Sequence, residues 1–490
     1  MPDPRVTSHG GDGPRTSYDA LRPLDPDQGD YLRLFPNLRP LAAPRSALRF
    51  LGASDGPMVD RDEGGAEGST WSGQPQTGDN TAIPAGYTYL GQFIDHDLTL
   101  DFTSDPNRRN LVGALPNART PAFDLDSVYG LGPEVHPHLY ERDDKLAVAD
   151  RGGVRDLQRR EDAGDRFGVA IIGDPRNDEN LLVSQVHLAF INLHNRLMDL
   201  VGSFEEARRL TRWHYQWVVL NDFLRKTVGD EVVNDVMSAG PVFFTEEKRH
   251  ALPVEFTVAA YRFGHSQVRP NYLVRAGGTP LPLFAPDDDA AGNDLRGSTK
   301  LTEDKKVGWE QFFNFGSVAP TPTWLIDTRL SEALFRMFPG PPGESSDVPP
   351  DERMLAFLNL RRGVAMGLPS GEAVANHMMK VLNDNGRPNF SMRALAEEEL
   401  GAEYRGRRGQ GETPLWYWVL AEAGAPTLFN GARLGPVGGR IVAEVFVGLL
   451  DGDGRSFLNE DPGWEPREDF KRNGVFDMAA LLVASGDFSG

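Results

Sequence analysis

The chain of 490 residues contains no cysteine. That absence excludes disulfides, iron–sulfur clusters, thiolate-bound zinc and haem held by thiolate or thioether. Any metal must be met by histidine, carboxylate, carbonyl, hydroxyl or methionine. Long apolar runs are also missing. Nothing reaches the roughly 18 residues of a membrane-spanning helix, and the opening "MPDPRVTSHGGDGPRTSYDA" is polar and rich in Pro and Gly, without the apolar heart of a Sec signal. The expectation is a chain with no membrane span, either cytoplasmic or exported by a route that reads no such signal. Basic residues are in deficit, 51 against 71 acidic, for a formal charge of −20. A first encounter with a phosphate backbone is then repulsive, and no nucleic-acid partner is expected.

What the chain does hold is material for a large core, with 39% hydrophobic and 9% aromatic residues. Residues 1–35 read as a weakly ordered arm and 36–490 as one domain, with a Gly- and Asp-rich irregular stretch at 51–83. "ENLLVSQVHLAFINLHNRLMDLV" spaces Leu182, Val186, Phe190, Leu193 and Leu197 as one helix face, and "EEARRLTRWHYQWVVLNDFLRKTVG" follows as a second long helix. Further helical patterns lie at 329–337, 351–362, 371–383, 392–399, 414–424 and 436–450. Strand signals are few and short, so the predicted fold is mainly α. The Pro/Gly-rich stretches 277–293 and 338–351 read as long loops within one unit.

Four segments concentrate reactive side chains. In "GQFIDHDLTLD" (91–101) a helix would place Gln92 and His96 on one face with Asp95 beside it. Taken alone, a histidine between two aspartates is more often a satisfied surface or core histidine. "TPAFDLDSVYG" (120–130) offers oxygens from Thr120, the Ala122 carbonyl, Asp124 and Asp126, a set that suits calcium better than magnesium, although a solvated acidic turn has the same composition. "DGDGRSF" (451–457) has Arg455 in the fifth place and no Glu in the twelfth, and reads as a turn. "EFTVAAYRFGHSQVRP" (255–270) sets His265 after an apolar run, with Arg262 three residues earlier and Gly264 beside it, where a flat cofactor can approach or a core histidine can sit.

Together with "GDPRNDEN" (173–180), "LHNRL" (193–197) and "FLNLRRGVAMGLPSG" (357–371), these segments resemble, in order and spacing, the motifs of the animal-type haem peroxidases of the peroxidase–cyclooxygenase superfamily. The likeness spans roughly residues 35–485 and looks nearest to bacterial members. It implies a large single-domain helical haem peroxidase fold. It also implies a b-type haem with His265 as proximal iron ligand and Asn359 bonded through its carbonyl to the other ring nitrogen. His96, Gln92 and Arg176 resemble the distal histidine, glutamine and arginine. Asp95 and Glu179 match the two acids that form ester bonds to the haem in mammalian members, and Arg262 and Arg362 match arginines near the haem and its propionates. Asp97, Thr120, Ala122, Asp124 and Asp126 match the calcium site.

These residue types suit peroxide chemistry. A neutral base, His96, would carry a proton from the inner to the departing oxygen of hydrogen peroxide, and the always protonated Arg176 would meet the charge on that oxygen. Departures narrow the reading. Where myeloperoxidase has a methionine forming a sulfonium link, this chain has Asn180, so no sulfur link is expected. Arg262 stands where cyclooxygenases carry a radical-forming tyrosine, with Tyr261 one step further away. The expected activity is oxidation of halide, thiocyanate or a small aromatic donor by hydrogen peroxide. The alternatives are a haem-dependent fatty-acid dioxygenase and a non-catalytic calcium-stabilised binding protein.

Overall fold

A computed structural model describes residues 30–487 apart from 61–70, 72, 102–103, 105–107, 162–167, 286–292, 336–352 and 401–411. Most of the loops expected at 277–293 and 338–351, and residues 1–29 of the expected arm, lie outside the described residues. The rest is mainly helical. Among the described residues strands occur only in two-stranded pairs: β1 (Tyr31–Leu32) with β5 (Leu252–Pro253), β2 (Asp79–Pro84) with β8 (Pro322–Trp324), β3 (Val148–Arg151) with β4 (Val154–Leu157), and β6 (Asn271–Tyr272) with β7 (Leu281–Pro282).

The principal helices are α1 (Arg45–Gly52), α2 (Gly86–Leu98), α3 (Leu181–Val201), α4 (Phe204–Val218), α5 (Leu224–Val228), α6 (Asp230–Ala239), α7 (Leu355–Ala365), α8 (Gly371–Asp384), α9 (Leu415–Gly424), α10 (Pro436–Gly452) and α11 (Met478–Ser485). Helix α3 starts where the Asn180 side chain accepts from the amides of Leu182 and Val183, and stops at Gly202 in the left-handed region. One apolar core joins the elements. At its centre Phe93 of α2 stacks on Phe190 of α3 with ring centroids 4.8 Å apart, and Tyr215 of α4 meets Phe190 edge-on at 5.3 Å.

Helix α2 is buried on nearly every face, because Leu90, Phe93, Ile94 and Leu98 cover more than one side of it. Close approach to its neighbours depends on glycine: a Cβ at Gly86 would sit 2.4 Å from the Phe313 ring. Between α4 and α5 the chain makes one π-helical turn, Val219–Phe223, which presents Phe223 to α2 at Gly91. The N-terminal strand is tied down far along the sequence. The amides of Leu34 and Phe35 donate to the buried Glu255 carboxylate at 2.8 and 3.3 Å.

Two local expectations are corrected. Residues 392–399 form turns rather than a helix, since Phe390 and Ser391 have positive φ and Arg393 folds back onto Glu399 at 2.6 Å. Within the supposedly irregular 51–83, residues 79–83 belong to β2, where the buried Asn80 donates to the carbonyls of Gly431 and Ala432.

Candidate active site

Helix α2 supplies one wall of a partly open cleft with about 620 Å³ of empty space, the open solvent at its mouth included. Asp95, Arg176, Arg262 and Arg362 line it, together with Tyr31 and Asp101. A second wall is the 3₁₀ helix Ala260–Gln267, whose Arg262 also lines the cleft; residues three apart eclipse there, so Arg262 and His265 share a face. The two walls are joined directly, because the Tyr261 hydroxyl donates to the Gly91 carbonyl at 3.1 Å.

His96 is 5% exposed. Its Nδ1 lies 2.8 Å from Asn177 Oδ1, which leaves Nε2 as the open ring atom. Burial first, and Arg176 second, lower its pKa to about 3, so the ring is neutral at physiological pH. Arg176 reaches the His96 carbonyl at 3.0 Å and is clamped by Asp174 through Nε at 3.1 Å and through a terminal nitrogen at 2.7 Å. Burial alone would raise the Asp174 carboxyl, but Arg176 and Arg119 outweigh it and hold the group well below the carboxylate range.

Gln92 donates to Glu179 at 3.0 Å and accepts from Asn180 at 3.1 Å. Glu179 keeps accessible surface, yet burial pushes its pKa up to about 7. Asp95 is likewise raised by burial, with Arg262 and Arg176 opposing.

On the other wall His265 Nδ1 is 2.8 Å from the amide nitrogen of Asn359, and the Asn359 oxygen accepts from Arg262 at 2.6 Å. The sequence reading had the Asn359 carbonyl facing the ring. A guanidinium can only donate, so it claims the oxygen and turns the nitrogen to His265. Asn359 and Arg362 are three apart on α7, and Arg362 pairs with Asp101 at 2.7 Å. Burial, then Arg262, lowers the His265 pKa to about 3; burial, then Arg362, lowers that of Arg262 to about 10. Trp416 of α9 donates to the Arg262 carbonyl at 3.2 Å and meets the His265 ring edge-on.

Behind His96 the carboxylates of Asp97, Asp124 and Asp126 converge, with ligand atoms within 4.8 Å of one another. Burial and mutual repulsion raise Asp97 well above its ordinary value; burial, chiefly, raises Asp124 to about 6 and Asp126 to about 8. Asp97 Oδ1 and the Thr120 hydroxyl are buried without a hydrogen-bond partner among the described residues. Ala122 lies on the same loop, its amide bonded to the Thr120 carbonyl. Arg119 bridges this cluster to the cleft, reaching Asp126 at 3.4 Å and Asp174 at 2.6 Å.

The geometry thus assembles two neutral imidazoles with occupied Nδ1 atoms, arginines along one cleft, and a buried oxygen cluster. It joins Gln92 to Glu179, Arg176 to His96, and His265 through Asn359 to Arg262, and gathers Asp97, Asp124 and Asp126. Residues 103–369 match the family described as animal haem peroxidase. The chain belongs to the animal haem peroxidase family. Among curated relatives, the chorion peroxidase of Aedes aegypti is 33% identical over 206 residues, 39% of this chain and 24% of the mosquito protein. The peroxidasin of Drosophila melanogaster is 23% identical over 381 residues, 71% of this chain and 22% of the fly protein. The chain therefore spans less than a quarter of either relative's length. In fold it is similar to peroxidase A from Dictyostelium discoideum, with TM-score 0.58 and 16% identity over 96% of this chain and 93% of that one. It is also similar to the fatty acid alpha-dioxygenase of Oryza sativa, with TM-score 0.56 and 15% identity over 98% and 79%.

Asp174, Asn177, His187 and Arg119 had no assigned role in the sequence. Asp174 had a local signal, since an acid before Pro175 caps the turn that carries Arg176. Arg119 meets Asp174 across 55 residues, and nothing local announces that pair.

Proposed function

We propose that this chain is a peroxidase that uses hydrogen peroxide to oxidise a small donor, a halide, thiocyanate or small aromatic compound. The observation that carries the reading is His96, neutral, with Nδ1 occupied and its carbonyl held by Arg176, which lines the cleft together with Arg262 and Arg362. The donor types fit haem: His265 would offer Nε2 to iron once the Asn359 amide turns or the ring gives up its Nε2 proton, and Arg262 and Arg362 suit its carboxylates. Bound there, haem supplies the redox centre that passes the oxidising power of peroxide to the donor.

The chain's own residues then manage protons and charge. His96 accepts the proton that peroxide gives up and returns it to the departing oxygen. Arg176, fixed by Asp174, presents a positive charge without reorganising. Gln92, gripped by Glu179 and Asn180, orders a small polar molecule beside His96. Asp95 and Glu179 are the carboxyls proposed to form up to two ester links to haem, with no sulfur link, since Asn180 caps α3. Asp97, Thr120, Ala122, Asp124 and Asp126 are proposed to hold calcium, whose charge would answer three buried acids.

The likeness to the rice dioxygenase speaks to fold. Five charged side chains, Asp95, Asp101, Arg176, Arg262 and Arg362, line the cleft and suit a small polar donor better than an alkyl chain. A non-catalytic binding protein needs no His96, Arg176 and His265 together. Among the described residues no helix is long and apolar enough to cross a membrane. The test is a Soret spectrum of the purified protein with steady-state assays against bromide, thiocyanate, a phenol and linoleate. Peroxide-dependent turnover of one of the first three is expected. Oxygenation of linoleate alone would establish the dioxygenase reading, and no turnover at all the binding protein.

A further inference from the structure

Consecutive residues of one short turn grip the same histidine in two different ways. Arg176 takes the His96 carbonyl, while Asn177 takes its ring. The turn itself is anchored outward by Asp178, whose carboxylate accepts from Arg159 at 2.7 Å and from the amides of Ala170 and Ser298 at 3.2 and 3.1 Å.

Asn177 is fully buried between two imidazoles. Its oxygen is 2.8 Å from His96 Nδ1, and its nitrogen is 3.0 Å from Nδ1 of His187 on α3, also fully buried. An amide oxygen only accepts and an amide nitrogen only donates. The first contact therefore requires a hydrogen on His96 Nδ1, and the second a lone pair on His187 Nδ1. A neutral ring carries one proton, so His96 has its lone pair on Nε2 and His187 its proton on Nε2. That His187 atom has no partner among the described residues, so the amide is the one contact that sets this ring's tautomer. Turned over, the amide would put the His96 proton on Nε2, where it could accept nothing from a substrate.

We propose that Asn177 is a positioning residue that fixes His96 as the Nδ1–H tautomer, so that Nε2 meets peroxide as a proton acceptor. The consequence for rate rests on the peroxidase reading; the tautomer does not. Residues in such supporting positions typically contribute about 10–100-fold to activity, and a catalytic histidine in the wrong tautomer loses more.

The test uses protein labelled with ¹⁵N at its ten histidines, in the diamagnetic ferrous carbonyl form and in alkaline buffer, with ring-nitrogen signals assigned through His96→Gln. Wild type should show His96 protonated at Nδ1. Asn177→Leu should lose that signature and show protonated Nε2. Asn177→Asp keeps an acceptor and should retain it. His187→Phe leaves Asn177 in place but removes the group that orients it, and should give a mixture, which keeps the idea testable if the leucine variant does not fold. In parallel, the reaction with peroxide should slow about tenfold or more in Asn177→Leu and recover in Asn177→Asp, with haem content unchanged. A His96 that stays protonated at Nδ1 in both Asn177→Leu and His187→Phe overturns the proposal, whatever the rate. A changed tautomer with an unchanged rate upholds it and removes His96 from proton transfer.

Discussion

The two histidine walls, α2 with the turn that carries Asn177 and the 3₁₀ helix with α7, are built on the same pair, a histidine whose Nδ1 lies 2.8 Å from an asparagine amide, and they use it in opposite senses. At the His96 wall the far end of the amide meets neutral His187; at the His265 wall it meets Arg262. The arginine forces the oxygen of Asn359 outward, so the ring of His265 receives a hydrogen bond at Nδ1, whereas the ring of His96 donates one. In its neutral form His265 then holds its proton on Nε2, and a metal bound there takes that proton's place unless the amide turns. One amide, read from its other end, makes a base of one histidine and an electron-rich ligand of the other.

The largest effects should come from breaking the two walls in turn. His265→Ala is expected to lose most of the Soret band. His96→Ala should keep the band while the stopped-flow reaction with peroxide slows by about 100-fold or more, since general acid–base groups contribute roughly 10²–10⁴. Equal loss of haem in both variants would show that the walls do not differ in the way described.

Cation removal sharpens the contrast, because the Asp126–Arg119–Asp174–Arg176 chain of charges reaches only the His96 wall. Chelation, or Asp124→Ala, should lower the melting temperature and slow the peroxide reaction several-fold, yet leave the Soret band in place. Metal analysis of active protein prepared without chelator should find calcium; its absence would remove the cation from the account.

The smallest effect lies on the helix that packs against His265. Glu422 of α9 accepts from the amides of Val437 and Gly438, and burial pushes its pKa from 4.5 up to about 8. The unfolded chain releases this proton near 4.5 and the folded chain near 8, so its contribution is full at low pH and lost as pH rises through that window. Glu422→Gln, which retains an acceptor oxygen, should flatten the fall in melting temperature between those values without altering the peroxide rate. An unchanged pH slope would mean that Glu422 is already ionised in the folded protein.

Much of the site was legible because helical spacing is local. Gln92 and His96 are four apart, Arg262 and His265 three, and Asn359 and Arg362 three, so each pair shares a face whatever the tertiary fold. The orientation of Asn359 was not legible, since it depends on an arginine 97 residues away in sequence competing for one oxygen. Asn177 looked like any polar residue in "GDPRNDEN"; only its partner His187, one helix further on, gives it meaning. The turns at 392–399 defeated the helical pattern because Arg393 and Glu399, which look like helix-surface charges, close a loop on each other.

The pairing of β1 with β5 sets an order in time. Tyr31 lines the cleft, and the neighbouring Leu34 amide finds its partner on Glu255, 221 residues later. At about 5–20 residues per second of synthesis, Tyr31 waits roughly 10–45 seconds for the segment that will hold it. His96 and His265 emerge within that interval or just after it, while the wall beside them is still open. The cleft is therefore still open when the chain is half made, and haem entering during synthesis would meet an open face rather than a finished pocket.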